Sequence, residues 1–454
     1  MLPHEKTESY INSICEQIRW KKARIRVYEE LENHIIDQRD SLMRQGLDEE
    51  TATDKAISNT GDAETIGAQL DRTHQPKPQW GMLLSTIVLL SIGVLVRWFV
   101  FRDWIESDSL YTQLFFIGIG LVGMFVAYFA DFSFIGKYPK SIYFSIIIFS
   151  MAVYQVSPIL NGRVFYAYYA VLLFPLAYAS AIYAAKNKRY IGIILCVLAF
   201  VVPGYIALSV PFLSGFLLLA VIGTIMLSVA VNRKWFGDIK RRLGFLTLLV
   251  PGVSFIILLV VNITDHQRNR IEAFFGLRFG QEPGNSLNFM TRELLSGANF
   301  FGQGNLTEQF MLSPVGSYHP TFGHFIYTDL LLTAIIAILG WAVFAVIICA
   351  ILFFIVKGFM LCFKQKSVLG FFVSFSIMMT FSIQAVGYVL YNLGIQFFAP
   401  ISLPLISFGN TATMVNLVLI GFMLSVFRTG DVITDENSTN TKMKKAALTV
   451  GMMQ

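Results

Sequence analysis

The sequence predicts an all-α polytopic membrane protein with about ten transmembrane helices, preceded by a small soluble helical domain. Three observations carry that prediction. Of 454 residues, 55% are hydrophobic and only 14% charged, with a mean hydropathy of +0.60, whereas a water-facing domain carries about a quarter charged residues. The charge is unevenly placed: residues 1–79 hold 11 Lys/Arg and 15 Asp/Glu, and the other 375 hold 24 and 14. Beyond residue 79, apolar runs recur at the length that crosses a bilayer core, about 20 residues each. The composition excludes a soluble enzyme, a disordered chain and a nucleic-acid-binding domain, because so few charges cannot cover a surface facing water. The net charge of +6 and pI near 9 then point to basic loops beside a membrane and not to a polyanion partner.

The N-terminal segment lacks the apolar core of a signal peptide, so the N-terminus is expected in the cytosol. From Lys21 to Gln45, Ile25, Tyr28, Leu31, Ile35, Leu42 and Met43 keep one helix face apolar, and Gly46 ends the helix. Asp48 and Asp62 are placed to cap two shorter helices with acidic first turns, and Gly61 marks the turn between them. The run HQPKPQW is a stiff linker. The segment resembles the "permease prefix" domain that precedes membrane proteins in Gram-positive bacteria. It supplies no catalytic residues and reads as an accessory module. The expected organisation is therefore 1–79, a membrane domain at 80–428, and a cytosolic tail at 429–454.

Spans are expected at about 80–101, 110–130, 141–158, 163–185, 190–207, 208–231, 243–263, 326–356, 368–396 and 401–427. An even number returns the C-terminus to the cytosol. The inside loops then carry 13 basic residues, against only Arg102 and Arg163 in the short outside loops, as the positive-inside rule requires. Cys15, Cys196, Cys349 and Cys362 show no C-x-x-C spacing and read as packing residues. One long outside loop, about 264–325, holds Arg268, Arg270, Arg278 and Arg292, and within it NSLNFMTRELLSGANFF has amphipathic spacing. A loop of that length with interleaved apolar residues is expected to be folded and functional.

Asp329 is the one acidic residue placed inside an apolar span, about one turn into the eighth. A carboxylate at lipid depth costs roughly 2 to 3 kcal/mol and by default faces a cavity. Desolvation also makes a carboxylate a stronger base, as general-base chemistry requires. Capping the helix start or snorkelling to the interface is the structural alternative, and Arg97 in span one reads more readily as snorkelling than as a ligand. Pro404 and Gly409 break the last span, where Ser407, Asn410, Thr411 and Asn416 can satisfy the freed backbone or contact a substrate.

Three stretches then resemble the SEDS family (shape, elongation, division and sporulation; RodA, FtsW and SpoVE types). They are HQRNRIEAFFG at 266–276 with LLSGANFFGQG at 294–304; TDLLLTAIIAILG at 328–340; and LPLISFGNTATMVNL at 403–417, with Gln384, Asn392 and Gly394 upstream. The chain departs from the family where an acidic pair is replaced by Ala337 and Ile338, and at Asn410, which follows Gly409 in place of a second glycine. The resemblance implies a ten-span fold and a peptidoglycan glycosyltransferase that polymerises lipid II at the outer face of a bacterial cytoplasmic membrane. It makes Asp329 the catalytic base and Arg270, Arg268, Arg278, Ser407, Asn410 and Asn416 substrate-binding residues. It also implies a class B penicillin-binding protein as partner, contact with membrane lipid, no nucleic acid, no resident protein metal site, and a divalent cation (Mg or Mn) at the diphosphate. A lipid-precursor flippase or an inactive scaffold of the division or elongation machinery is the alternative.

Overall fold

The computed structural model describes residues 3–100, 107–130, 132–160, 163–209, 213–237, 287–305, 328–396 and 399–430. The chain divides into two compact units, Met1–Pro78 with Phe427–Gln454, and Gln79–Val426.

The first unit contains α1 (Pro3–Gln17), α2 (Lys21–Arg44), α3 (Glu49–Thr60) and α4 (Ala63–His74). Its core is built from Ile11, Cys15, Ile18, Ala23, Val27, Ile35 and Ala56, with Tyr28, Leu31 and Leu42 packed against it. The buried face of α2 therefore runs through 23, 27, 31, 35 and 42, the true i, i+4 stripe. Ile25 and Met43, expected on that face, are 70% and 40% exposed. Both caps form as the sequence indicates: Thr51 N donates to Asp48 Oδ2 at 3.1 Å and Thr65 N to Asp62 Oδ2 at 3.0 Å. Gly46 and Gly61 have φ of +97° and +111°, the left-handed region that glycine adopts without steric cost. Asp71 on α4 accepts from Arg19 N and from Gln75 Nε2, each at 2.8 Å, which ties the end of α1 to α4.

The second unit is a helical membrane body. Its helices are α5 (Trp80–Val100), α6 (Ser107–Phe129), α7 (Ser133–Lys137), α8 (Pro139–Val156), α9 (Phe165–Ala170), α10 (Phe174–Ala184), α11 (Arg189–Ser209), α12 (Leu213–Asn232), α13 (Leu287–Ser296), α14 (Leu331–Leu339), α15 (Trp341–Phe363), α16 (Val368–Asn392) and α17 (Asn410–Thr429). A two-residue antiparallel ladder pairs Ile159 with Val164 and Leu160 with Arg163. Nine stretches among the described residues are long and apolar enough to span a bilayer. The expected span at 243–263 lies outside the described residues.

Two expectations are corrected here. The eighth span is not one helix from 326 to 356: it breaks at Gly340, whose φ is +90°, into the short α14 and the spanning α15. The tenth does not begin at 401, because residues 401–409 are non-helical and only Asn410 onward is helix. At Gly340 a single glycine inside an otherwise apolar run hides the helix break from hydropathy. The non-helical stretch up to Gly409, by contrast, agrees with the break expected at Pro404 and Gly409 and only moves the start of the last helix to Asn410. The most enclosed helices are α10 and α16, with Phe371, Phe372, Val373 and Tyr388 wholly buried. By contrast α6 and α8 show most of their apolar surface, which is stable only in lipid or against a partner.

Candidate functional site

Asp329 lies in a turn immediately before α14, partly exposed, while Leu330 through Ala337 are buried. It is therefore not one turn inside a helix, as the apolar pattern suggested, but at the mouth of one. The first amides of α14 have no partner within their own helix, and the residue at its N-cap, Leu330, has no side chain that can cap them. The cap comes from α16. Tyr388 hydroxyl donates to Thr328 O at 2.6 Å and accepts from Leu331 N at 3.2 Å. Asn392 Oδ1 accepts from Thr333 N at 3.0 Å, and Asn392 Nδ2 donates to the backbone carbonyl of Asp329 at 3.0 Å. Thr333 Oγ1 closes the cluster by donating to Asn392 O at 2.8 Å. Residues 328–333 are thus clamped, from carbonyl to amide, by two side chains one helical turn apart on α16.

The far end of α14 is held by a different part of the chain. Gly302 N donates to Leu339 O at 3.1 Å and Gly304 N to Ala337 O at 2.8 Å, while Trp341 N and Ala342 N donate to Asn299 O and Phe300 O at 3.1 and 3.0 Å. The SGANFFGQG stretch therefore fills the break between α14 and α15, satisfying both the last carbonyls of one helix and the first amides of the next. A Cβ at Gly340 would lie 2.6 Å from Phe300 O, so this close approach needs glycine. Two of the three sequence stretches are thereby joined. Helix α13, which leads into this segment, reaches the end of α16: Gln396 Nε2 donates to Thr291 Oγ1 at 2.9 Å. A Cβ at Gly394, φ +89°, would lie 3.2 Å from Arg292 Cγ. The stem of Arg292 is thus packed two residues from Asn392, with its side chain exposed.

The third stretch is a buried non-helical segment. Leu405 holds a left-handed φ of +67°, unusual for a branched side chain, and Pro404 to Ser407 are all buried. Its backbone is satisfied locally and from afar: Ser407 Oγ and Ser407 N both donate to Leu403 O at 3.1 Å, and Tyr168 hydroxyl donates to Pro400 O at 2.7 Å. Ser214 Oγ donates to Ala399 O. Helix α5 admits the segment at Gly93, where a Cβ would lie 2.8 Å from Ile406 O. One turn further along α5, Arg97 is 8% exposed, donates to Gln113 Oε1 at 3.2 Å, and stacks over the Phe408 ring at 4.6 Å from its centroid. Arg97 is therefore an internal residue and does not snorkel.

The predicted substrate residues separate. Asn410 is partly exposed at the start of α17. Ser407 is 2% exposed with its hydroxyl turned to Leu403 O. Asn416 is fully buried, exchanging amide hydrogen bonds with Gln384 at 3.3 and 3.5 Å, and so ties α16 to α17. Arg268, Arg270 and Arg278 lie outside the described residues. Tyr388 was not anticipated, and Asn392 had no assigned role. Asn392 fits the family pattern upstream of the third stretch but without a role, and Tyr388 does not stand out, because a polar residue inside an apolar helix reads equally as packing. For a divalent cation the described residues offer the Asp329 carboxylate but no group of three or more His, Cys, Asp or Glu. They do not form a metal cage, and no chemical step is derived through one.

Comparison with known proteins adds the fold. A structure of a peptidoglycan synthase complex that coordinates polymerization and crosslinking matches with a TM-score of 0.59 at 17% identity, over 77% of this chain and 98% of that one. The rod shape determining protein RodA of Thermus thermophilus, and a point variant of it, each match with a TM-score of 0.52 at 16% identity over 78% of this chain, and over 97% and 98% of theirs. No family model matches the chain, and no curated protein does.

Proposed function

From a multi-pass membrane protein with the fold of RodA, we propose a divergent SEDS-type peptidoglycan glycosyltransferase of the bacterial cytoplasmic membrane, acting at its outer face with both termini in the cytosol. The observation that carries this reading is the Asp329 turn: a carboxylate at the mouth of a buried helix, its backbone clamped by Tyr388 and Asn392. The substrate is lipid II. A sugar hydroxyl of the acceptor attacks the anomeric carbon of the donor, the bond to the diphosphate oxygen breaks, and undecaprenyl diphosphate departs. Asp329 takes the hydroxyl proton. A general base of this kind contributes about a hundredfold to ten-thousandfold, and it must hold its position to do so.

The leaving diphosphate needs positive charge, which arginine supplies bidentately. Arg270, Arg268 and Arg278 are proposed for that role on the family pattern, and Arg292 joins them because its stem packs beside Gly394. Ser407 and Asn410 are proposed to line the acceptor side. Asn416 keeps its place in the proposal only through its neighbours, since its amide holds Gln384. The neighbour whose complex couples polymerization to crosslinking supports a transpeptidase partner, for which a class B penicillin-binding protein is the natural choice.

One observation favours a second reading. Ala337 and Ile338 replace the acidic pair of the family pattern, and Ala337 is 1% exposed with its carbonyl engaged by Gly304. That suits a scaffold of the division or elongation machinery which keeps the fold without the chemistry. Polymerisation of purified lipid II by the wild type and by Asp329→Asn, each with a partner penicillin-binding protein, separates the two. Polymer from the wild type alone supports the enzyme. Polymer from both removes Asp329 as base, and polymer from neither favours the scaffold.

A further inference from the structure

The connections that follow α10 and α12 lock onto each other. Asn187 N donates to Trp235 O at 3.1 Å and Arg189 N to Phe236 O at 2.8 Å. The Trp235 indole donates to Ile182 O at 2.9 Å and packs between Tyr183 and Phe372. To make this joint, Asn187, Arg189 and Lys234 adopt φ of +58°, +49° and +55°, a left-handed backbone that residues other than glycine seldom take. The result is a fixed platform that presents basic side chains. Lys186 Nζ lies 4.9 Å from the centroid of the Trp235 ring and the Arg233 guanidinium 3.6 Å from that of Phe371. Lys188, Arg189 and Lys234 are exposed beside them. The described residues 185–189 and 232–237 contain no Asp or Glu; Asp238, next in the chain, lies outside the described residues. From Arg189 the helix α11 leads directly into an apolar face, with Ile191 65%, Ile194 57% and Leu198 58% exposed.

We propose that this platform binds the phosphate-bearing headgroup of an anionic phospholipid, whose acyl chains lie along Ile191, Ile194 and Leu198. Guanidinium groups match phosphate oxygens bidentately, and stacking on aromatic rings restricts two of the cations before any ligand arrives. Basic pockets between membrane helices select anionic headgroups over zwitterionic ones on the same grounds. The apolar stripe starting two residues beyond Arg189 favours a lipid over a soluble anion, which would use only the charged half. The proposal does not depend on the glycosyl-transfer reading.

The test is native mass spectrometry of the full chain in detergent with palmitoyl-oleoyl phosphatidylglycerol or phosphatidylcholine. The wild type is expected to retain phosphatidylglycerol preferentially. Arg189→Ala with Arg233→Ala is expected to reduce that retention roughly twenty-fivefold, at about fivefold per charge, while Arg189→Lys keeps most of it. Removing two charges from the soluble helices, Lys55→Ala with Arg72→Ala, leaves the preference intact. Equal retention of the two lipids, or an unchanged preference in the double variant with native thermal stability, overturns the proposal. An equal loss in the Lys55 and Arg72 variant overturns it in favour of net charge. Displacement of the bound lipid by millimolar inorganic phosphate overturns it in favour of a soluble anion.

Discussion

Asn392 holds the Asp329 turn at three points: its amide bonds the Asp329 carbonyl and the Thr333 amide at once, and its own carbonyl receives the Thr333 hydroxyl. Truncation to alanine removes the Asn392 half of the cap, leaving the Thr333 amide and the Asp329 carbonyl without it. Asn392→Ala is therefore expected to lower stability by about 1 to 3 kcal/mol, the cost of buried unsatisfied groups, and to lower polymerisation at least tenfold. Thermal unfolding in detergent and the lipid II assay check the two effects. Tyr388→Phe removes one hydroxyl, which both donates to Thr328 O and accepts from Leu331 N, and a smaller loss of both is expected. The residue type of Asp329 could be read from the sequence as an anomaly. Its clamp could not, because Tyr388 and Asn392 lie about sixty positions away and neither residue type is rare in a packed helix.

Among elements, α14 has both ends fixed by other parts of the chain, and Gly340 is where the second fixing becomes possible. Gly340→Ala combines a left-handed φ with a Cβ 2.6 Å from Phe300 O. It is expected to cost about 1 to 2 kcal/mol from the backbone alone and to speed hydrogen exchange in residues 296–305, measured by mass spectrometry. Slow exchange there with lost activity would dissociate the docked segment from the site.

The soluble helices respond to a different variable. The Thr51 hydroxyl and amide hold the Asp48 carboxyl below its ordinary range, the Thr65 amide does the same for Asp62, and the Arg19 amide for Asp71. Because these folded values lie below the unfolded ones, the unfolded chain binds more protons as pH falls through the carboxylate range near 4. Their stabilisation is complete above that range and is lost as pH drops through the folded values. Hydrogen exchange in α1 to α4 is expected to be unchanged from about pH 7 to pH 5 and to accelerate toward about pH 3. Asp62→Asn should shrink that acid sensitivity.

For the whole molecule, the proposed orientation is read from where the basic residues fall. The proposal puts Asn187 on the cytosolic side and Ser157 and Ser296 on the outer side. Single cysteines at these positions, in a background without the four native ones, are expected to react with an impermeant maleimide from outside only at 157 and 296. Labelling of Asn187→Cys in intact cells would invert the topology and move Asp329 away from lipid II.

The sequence by itself determined the membrane class, the positions of most spans and the helix caps of the first unit. Those follow from local quantities: apolar length against bilayer thickness, and side chains within one turn of the backbone they cap. Only the tertiary structure decided that Gly340 divides a span, that residues 296–305 close the gap, and that Leu405 turns within a buried segment. It also moved Asp329 from inside a helix to its mouth. The Gly340 break and its closure rest on hydrogen bonds to partners about forty residues away in the chain, and a break whose backbone groups are satisfied elsewhere leaves the apolar pattern there uninterrupted. At 404–409 the sequence marks the break, and only its conformation is tertiary.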